Sequence, residues 1–165
     1  MTEEPDPQRP LQPPHDGPRA RIPPPVYALL LALLAWGAQA VFACPSLLKY
    51  PWILCGVVPG AAGVTLGFWC LSHFRGRRTT PLPFGRPTAL VIEGPYRVTR
   101  NPMYVALAAA LLGLALLVGS LPFFLVPPAF VLIMNFAQIP HEERLLARIF
   151  GEEWEAYRRQ VRRWL

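Results

Sequence analysis

Long uncharged apolar segments dominate this chain, and short polar segments separate them. The apolar segments cover residues 26–48, 50–73, 103–119 and 121–139. A helix needs about 20 apolar residues to cross a bilayer, and the first two segments reach that length. The third has 17 residues, roughly 26 Å of helix, which is short for a hydrocarbon core of about 30 Å. The pattern predicts an all-α integral membrane protein with about four transmembrane helices.

The last two predicted transmembrane helices, residues 102–119 and 121–139, are adjacent and should form a short helical hairpin. We expect its turn at Gly119-Ser120, because glycine and serine favour turns. The fourth helix should be kinked, because proline removes a helical hydrogen bond and this segment contains Pro122, Pro127 and Pro128.

The second segment has glycines at positions 56, 60, 63 and 67, which form the pattern G-x-x-x-G twice. Small residues at this spacing let two helices approach closely. Packing within the chain and a dimer face both explain the pattern, and packing within the chain is the simpler interpretation. Pro59 is expected to kink this helix.

The pattern changes after Pro140, where apolar residues recur every three or four positions between charged ones. This period is typical of amphipathic helices, and Gly151 is expected to divide residues 141–165 into two of them. The second helix places arginines beside Trp154, Tyr157 and Trp164. Such a helix suits the lipid headgroup region. Packing on the preceding polar loop explains the same pattern, and both can hold.

The basic residues orient the predicted helices in the membrane. The chain is 53% hydrophobic with a net charge of +6, and its sixteen basic residues are Lys49 and fifteen arginines. With four crossings, all the arginines lie on one side and only Lys49 on the other. The positive-inside rule then places both termini in the cytoplasm, in a multi-pass protein of the inner membrane. A nucleic-acid surface is a poor alternative, because the arginines adjoin membrane spans.

The polar segments have different compositions. Residues 1–25 contain nine prolines and are predicted to be a disordered cytoplasmic tail, whereas residues 26–165 form the membrane domain. A cleaved signal peptide is a weaker interpretation of the first span, because the apolar run is long and its leading tail has 25 residues. Residues 74–101 are rich in proline and glycine, and are predicted to be a structured cytoplasmic cap loop.

Cysteine and histidine give little sign of a metal site. Cys44, Cys55 and Cys70 are far apart, with no C-x-x-C, so neither a disulfide framework nor a zinc site is expected. His141 stands beside two glutamates, but this is not a ligand spacing. We predict no metal.

Two polar clusters flank the predicted hairpin. Arg100, Asn101 and Tyr104 lie at its entry, and Glu142 and Glu143 lie just past its exit. Each cluster alone has an ordinary explanation, since arginines stop translocation, Asn-Pro starts helices and early glutamates suit the helix dipole. A hairpin, however, brings its entry and exit together. The result is either a polar pocket with an apolar floor, suited to a ligand with a cationic centre, a ribose and an amino-acid end, or an ion-pair cluster that only holds the hairpin.

The segments "TALVIEGPYRVTRNPMY" and "EERLLARIFGEEWEAYRRQVRRWL" carry a family resemblance. In order and spacing they resemble the isoprenylcysteine carboxyl methyltransferase and phospholipid methyltransferase superfamily of membrane enzymes, particularly its small bacterial members. The resemblance covers roughly residues 75–165. It implies S-adenosylmethionine as cofactor, and it implies that the following residues surround it: Thr88, Ala89, Leu90, Val91, Tyr96, Asn101, Pro102, Met103, Tyr104, Glu142 and Glu143.

The chain departs from the superfamily pattern at three places. The histidine of the superfamily motif is Asn101 here, which cannot carry a proton. The arginine that serves the substrate carboxylate in the prenylcysteine enzymes is Gln138 here. A prenylcysteine carboxylate is therefore a doubtful substrate, although Gln138 remains the candidate substrate residue. The G-x-G of the phospholipid N-methyltransferases is also missing at Gly113.

The resemblance implies an S-adenosylmethionine-dependent methyltransferase that acts on a lipophilic small molecule or lipid at the cytoplasmic face. Arg97 and Arg100 are the candidate positioning residues, because they can pair with a carboxylate or an anionic headgroup. Tyr96 or Tyr104 can hold a sulfonium by cation–π contact. An NADPH-dependent membrane reductase and a non-catalytic protein with a structural arginine–glutamate cluster are the alternatives. The oligomeric state stays open.

Overall fold

A computed structural model describes residues 22–76 and 88–165 of the chain. These residues form helices and irregular connections, with no β-strand among them beyond two isolated bridges. The predicted tail therefore falls largely outside the described residues, and so does the middle of the cap loop, residues 77–87. The helices are α1 (Pro24–Phe42), α2 (Val57–Gly76), α3 (Pro102–Val118), α4 (Leu121–Phe124), α5 (Val126–Ile133), α6 (Ile139–Phe150) and α7 (Glu152–Gln160).

Three helical segments are long and apolar enough to cross a membrane: Pro24–Phe42, Trp52–Phe74 and Leu121–Phe150. The second of them begins with a 3-10 turn at Trp52–Gly56 that leads directly into α2. Helix α3 is a shorter apolar helix of 17 residues. Its bounds agree to within one residue with the predicted range, 102–119. The prediction of an all-α membrane protein is confirmed, while the sidedness stays a prediction.

Helix α1 ends six residues before the predicted end of the first span, at Phe42. Ala43 adopts a left-handed backbone conformation with φ of 44°, and Cys44 precedes Pro45. A residue before proline is disfavoured in the α-helical region. The apolar run therefore continues past Phe42 as a connection between helices rather than as more of the span.

Helices α2 and α3 pack closely through their small residues. A Cβ atom built on Gly56 would lie 2.5 Å from the Gly113 carbonyl oxygen, and one on Gly63 would lie 2.5 Å from the Ala106 carbonyl oxygen. Only glycine permits this backbone approach. The G-x-x-x-G pattern therefore serves packing within the chain, as the simpler interpretation expected. Pro59 lies in the first turn of α2, where a missing N–H group is tolerated.

The predicted hairpin turn is confirmed. Gly119 is the C-cap of α3, with φ of 69°, and Ser120 is the N-cap of α4. The backbone of Leu47 and Leu48 donates hydrogen bonds to the Gly119 carbonyl, at 2.7 and 3.0 Å. A Cβ atom on Gly119 would lie 2.5 Å from the Leu48 carbonyl oxygen, so glycine is required both by its conformation and by its neighbour.

The helix does not stop at residue 139, where the fourth span was predicted to end, and the extent of the span in the membrane stays a prediction. The helical path continues from Leu121 to Phe150. A π turn at Met134–Gln138 comes directly before α6, whose first residues are Ile139 and Pro140. Proline lacks an N–H donor and its ring clashes with the carbonyl four residues earlier. A turn widened to i→i+5 hydrogen bonding lies where this clash would otherwise interrupt the helix.

Gly151 separates α6 from α7, as predicted, with φ of 52°. Helix α7 ends at Gln160, however, so the prediction of helix through residue 165 is wrong. Val161 is extended, with φ of −119° and ψ of 136°. Residues 161–165 run beside the turn before α3, where an isolated parallel bridge joins Thr99 and Arg162. Main-chain pairing with this turn replaces helical hydrogen bonds for the last residues.

The buried core lies between the hairpin and α1. Phe130, Met134 and Ile139 are fully buried, and Ala28 and Ala35 of α1 pack into the same cluster. Large apolar side chains elsewhere on the helices face outward and are exposed, including those of Leu34, Trp36, Leu132, Phe68 and Phe136. An apolar exterior around a small core is the pattern expected of helices surrounded by lipid.

Candidate active site

The entry and exit of the hairpin meet at Tyr104 and Glu142. The Tyr104 hydroxyl lies 2.7 Å from each oxygen of the Glu142 carboxylate. Gln138 Nε2 donates to Glu142 Oε1 at 2.7 Å. Tyr104 and Gln138 are buried, with 5% and 2% exposure. The carboxylate is therefore held by a donor from α3 and another from the π turn, and the expected meeting of the two clusters is confirmed.

A second carboxylate, Glu143, is held between two arginines. Arg100 Nη2 lies 2.9 Å from Glu143 Oε1, and Arg163 Nη2 lies 2.5 Å from Glu143 Oε2. The Arg100 and Glu143 side chains are only 9% and 12% exposed. Charges this far from water are tolerated when they are paired and hydrogen-bonded. Glu143 and its two arginines form an ion-pair cluster that fixes the hairpin entry to α6.

The rest of the Arg100 guanidinium contacts the C-terminal part of the chain. Its Nη1 donates to the carbonyl oxygens of Arg158 at 2.9 Å and Val161 at 2.5 Å. The guanidinium carbon also lies 6.0 Å from the centre of the Trp154 ring, which is the range of a cation–π contact. Arg100 is thus tied to the protein on several sides. In the structure it acts first as a positioning residue.

Asn101 occupies the N-cap position of α3, and Pro102 is the first helical residue, as expected. The Asn101 side chain makes no capping hydrogen bond, however. Its Nδ2 donates instead to the main-chain carbonyl of Arg163 at 3.0 Å. The ordinary explanation of Asn101 as a helix cap is therefore wrong. The amide links the hairpin entry to the C-terminal end.

The loop residues before α3 pack on α2 and α7. Tyr96 is 7% exposed and contacts Phe74 edge to face, with ring centres 5.6 Å apart. Tyr157 of α7 donates its hydroxyl to the Tyr96 carbonyl at 2.7 Å. Burial raises the pKa of both phenols well above the usual tyrosine range, although Arg100 opposes the shift at Tyr157. Both rings are therefore neutral at any physiological pH.

Gly94 allows this loop to approach α2. It has φ of 58°, and a Cβ atom at this position would collide with the imidazole of His73. The His73 ring is itself held by a hydrogen bond of 2.9 Å between its Nδ1 and the Trp69 carbonyl oxygen. The glycine of the G-P-Y-R motif thus has a structural reason, because it lets Tyr96 fold back against the end of α2.

These elements enclose a cavity of about 380 Å³. Its polar wall includes Arg100, Asn101, Tyr104, Glu142 and Glu143. Its apolar walls come from the loop, α2, α3 and the first turn of α1. The expected cofactor residues that line it are Ala89, Leu90, Val91, Tyr96, Asn101, Pro102, Met103, Tyr104, Glu142 and Glu143. A volume of this size falls within the range of small-molecule sites, about 300–1,000 Å³.

Three expected site residues do not line the cavity. Thr88 and Arg97 are exposed and lie outside its wall. Gln138 lies behind Glu142, buried, and contacts it rather than the cavity. The structure therefore brings the hairpin motifs together, but it separates Arg97 from Arg100 and gives Gln138 a supporting position.

Several residues of the cavity wall were not predicted from the sequence. Trp154 and Tyr157 line the cavity from α7, and the aromatic face of that helix was the available signal. The apolar side is formed by residues from α1 and α2 without a distinctive pattern: Pro24, Pro25, Val64, Gly67, Phe68 and Leu71. These helices were expected only to anchor or pack.

Comparison with known proteins identifies the family. The sequence model of the phospholipid methyltransferase family (PEMT) matches residues 52–153 of this chain, from the start of the second span into α7. The match includes the whole hairpin and both glutamates. The chain belongs to the phospholipid methyltransferase family. The name of the family is that of a methyltransferase, in agreement with the superfamily resemblance.

Curated relatives of this phospholipid methyltransferase family member include two metal-resistance proteins. The cobalt-zinc-cadmium resistance protein CzcN of Cupriavidus metallidurans is 34% identical over 104 residues, 61% of this chain and 44% of that protein. The nickel-cobalt-cadmium resistance protein NccN of Alcaligenes xylosoxydans xylosoxydans is 31% identical over 97 residues, 56% of this chain and 42% of that protein. The chain thus spans less than half the length of these relatives.

A third relative is an uncharacterized protein of Haemophilus influenzae, 40% identical over 63 residues, which are 38% of this chain and all of that protein. No solved structure matches the chain. Within residues 22–76 and 88–165, no three His, Cys, Asp or Glu side chains are grouped to hold a metal ion. The family assignment therefore rests on the methyltransferase match.

Proposed function

We propose that this family member is an S-adenosylmethionine-dependent methyltransferase with a lipophilic acceptor, working at the cytoplasmic face of the membrane. One observation carries the proposal. The residues of the two family motifs, separated by 38 positions between Tyr104 and Glu142, line one cavity that is polar at the hairpin entry and apolar along α2. A nucleoside cofactor needs the polar part of such a cavity, and a lipophilic acceptor needs the apolar part.

The residues present fit the cofactor. Glu142 supplies acceptor oxygens for ribose hydroxyls or an amino group, and the Asn101 amide oxygen is a further acceptor. The apolar loop residues Leu90 and Val91 offer a surface for a base. Bound S-adenosylmethionine supplies an electrophilic methyl group on a sulfonium. The aromatic rings of Tyr96 and Tyr104 can hold that cation by cation–π contact, worth about 0.5–2 kcal/mol.

Alignment is the main contribution that this chain can make to methyl transfer. The reaction is an in-line displacement that consumes positive charge at sulfur, so strong ground-state stabilisation of that charge would slow it. Holding donor and acceptor about 3–3.5 Å apart in line supplies the rate instead. The hydrogen bonds that fix Tyr104, Glu142 and Arg100 are suited to this, because they restrict the side chains before any ligand binds.

The acceptor side of the cavity faces the lipid-exposed surface. Val64 and Phe68 line the cavity and are 54% and 71% exposed on α2. In a membrane this surface contacts acyl chains, so an apolar acceptor can reach the cavity laterally. Gln138, buried against Glu142, is proposed to act by orienting that carboxylate. No arginine occupies its position to bind an acceptor carboxylate.

Isothermal titration of the purified full chain with S-adenosylhomocysteine tests the cofactor assignment. We expect saturable binding to the native protein and at least about tenfold weaker binding to Glu142→Gln, since it replaces an acceptor oxygen by a donor. Glu153→Gln is the matched control, because Glu153 is exposed on α7 and outside the cavity. Absence of binding to folded native protein would refute the proposal.

The same preparation separates the alternatives. Saturable binding of NADPH in place of S-adenosylhomocysteine would indicate a reductase. A purely structural arginine–glutamate cluster has some support, since Glu143 is paired with both Arg100 and Arg163. This alternative predicts a folded protein that binds neither S-adenosylhomocysteine nor NADPH. Incubation with a radiolabelled methyl donor and extracted membrane lipids then shows which lipid fraction acquires label.

A further inference from the structure

The last five residues connect the two walls of the cavity without lining it. The chain leaves α7 at Val161, which is extended, and residues 161–165 run beside the turn before α3. We propose that this segment, the C-terminal strap, positions the polar wall of the cavity for its ligand, with Arg163 as its principal positioning residue. The inference rests on the proposed function, because it concerns the cavity assigned there to the cofactor.

The strap holds the hairpin entry through its main chain. The Arg100 backbone N–H donates to the Arg162 carbonyl at 2.8 Å. The Arg163 carbonyl accepts from Thr99 Oγ1 at 2.9 Å and from Asn101 Nδ2 at 3.0 Å. Three consecutive residues before α3 are therefore bound to two consecutive carbonyls of the strap.

The strap holds the opposite wall through its side chains. The Arg163 guanidinium contacts both oxygens of Glu143, at 3.2 Å from Nε and 2.5 Å from Nη2. Its Nη1 lies 3.4 Å from Asn135 Oδ1, and Trp164 Nε1 donates to the same oxygen at 3.1 Å. Asn135 belongs to the π turn and Glu143 to α6, so one short segment joins α3 to both.

This arrangement determines what the cavity offers a ligand. A main-chain carbonyl only accepts hydrogen bonds, so the Arg163 carbonyl selects the Nδ2 side of the Asn101 amide. The Asn101 Oδ1 is then the group left to face another donor. Glu143, paired on both sides, is likewise restricted to one orientation. Asn101 and Glu143 line the cavity, whereas no residue of the strap does, so the strap acts through them.

Binding of S-adenosylhomocysteine to full-length Arg163→Ala and Arg162→Ala tests the strap. Both variants lose one positive charge, but the Arg162 side chain is exposed and outside the network. We expect Arg163→Ala to raise Kd about 10- to 100-fold, the range typical of lost support behind a site, and Arg162→Ala to leave Kd within about twofold. Equal effects of the two variants, or an unchanged Kd in Arg163→Ala, would overturn the proposal.

Arg163→Lys serves as the second variant if Arg163→Ala does not fold. It retains the charge but loses the two-pronged contact with Glu143. We expect a Kd between those of the native protein and Arg163→Ala, or several-fold above native where the alanine variant is not measurable. A Kd equal to native in a folded Arg163→Lys protein, with no folded alanine variant for comparison, would overturn the positioning role.

Proteolysis distinguishes a positioning role of the strap from a merely structural one, because only a positioning role makes the cleavage rate depend on bound ligand. Coupling between ligand and strap is reciprocal, so saturating S-adenosylhomocysteine should slow the release of Leu165 and Trp164 by carboxypeptidase several-fold. At a ligand concentration near the native Kd, Glu142→Gln should be protected much less than the native protein, because it binds the ligand at least about tenfold more weakly. Equal release with and without ligand would overturn the proposal. Failure of native protein to bind would instead refute the proposed function itself.

Discussion

The two ends of the hairpin are held together by different kinds of contact. At the tip, Gly119 and Ser120 are joined to residues 46–48 by main-chain hydrogen bonds and an isolated bridge. At the polar end, Tyr104, Arg100, Glu142 and Glu143 are joined by side chains. The tip depends on backbone shape and on a glycine at position 119, whereas the polar end depends on the identity of several polar side chains. The polar end therefore holds the side chains to which we assign the chemistry.

The largest effect is expected from Glu142→Gln at the polar end. It replaces one acceptor oxygen by a donor opposite Tyr104 and Gln138. We expect kcat/KM for methyl transfer to fall about 100-fold or more, about 2.7 kcal/mol, with a smaller change in thermal stability. Initial rates with a radiolabelled methyl donor measure it, and Glu153→Gln should retain native activity. A variant with native rates would remove Glu142 from the mechanism.

The next largest effect is expected from Gly119→Ala at the tip. The substitution combines a positive φ with a Cβ atom 2.5 Å from the Leu48 carbonyl oxygen. We expect a loss of about 2 kcal/mol in the free energy of unfolding, with near-native Kd for S-adenosylhomocysteine at low temperature. Unfolding in detergent micelles measures it. Gly37→Ala is the control and should leave the free energy of unfolding unchanged, because its added Cβ meets no atom within 4 Å. A changed Kd for S-adenosylhomocysteine in Gly119→Ala would show that the tip also affects the cavity.

Tyr104→Phe should have an intermediate effect. It removes the hydroxyl that binds Glu142 at 2.7 Å but keeps the ring that lines the cavity. We expect a loss of about 1–2 kcal/mol in the binding free energy of S-adenosylhomocysteine, measured by titration. Tyr50→Phe, at a side chain that is 76% exposed, is the control. An undiminished affinity would show that ring contact, and not the carboxylate contact, is what matters.

The smallest effect is expected from Arg97→Ala. Arg97 is exposed and lies outside the cavity wall, unlike Arg100 three positions later. We expect kcat/KM and stability to change by less than about 0.5 kcal/mol. The same initial-rate assay measures it. A loss of more than about tenfold in kcat/KM would instead indicate that Arg97 contacts the bound ligand, as the sequence predicted.

The sequence predicted the hairpin well because the signals are local. The apolar length of α3, the Gly119-Ser120 turn and the break at Gly151 each follow from a few neighbouring residues. The prediction missed the π turn by which the helix continues past Pro140. It also failed at residues 161–165, where an amphipathic pattern ends in an extended segment. At residues 161–165, main-chain contacts with the turn before α3 replace the helical hydrogen bonds that the pattern predicted.

Only the part of the candidate site formed by the two sequence motifs was predicted. The meeting of Tyr104 with Glu142 followed from placing both at one end of a hairpin. The cavity walls from α1 and α2 did not, because their small and apolar residues serve packing, lipid contact and ligand binding equally well. Trp154 and Tyr157 were visible as an aromatic face, but which surface that face covers depends on the turn at Gly151.

The sequence by itself determined the membrane character, the helices and the family, because hydrophobic length and motif order are properties of consecutive residues. Only the tertiary structure decided that Asn101 binds the Arg163 carbonyl, that Gln138 supports Glu142, and that Arg97 is excluded from the cavity. These choices depend on partners that are distant along the chain. A side chain takes its partner from whichever element packing brings near, and no local pattern contains that information.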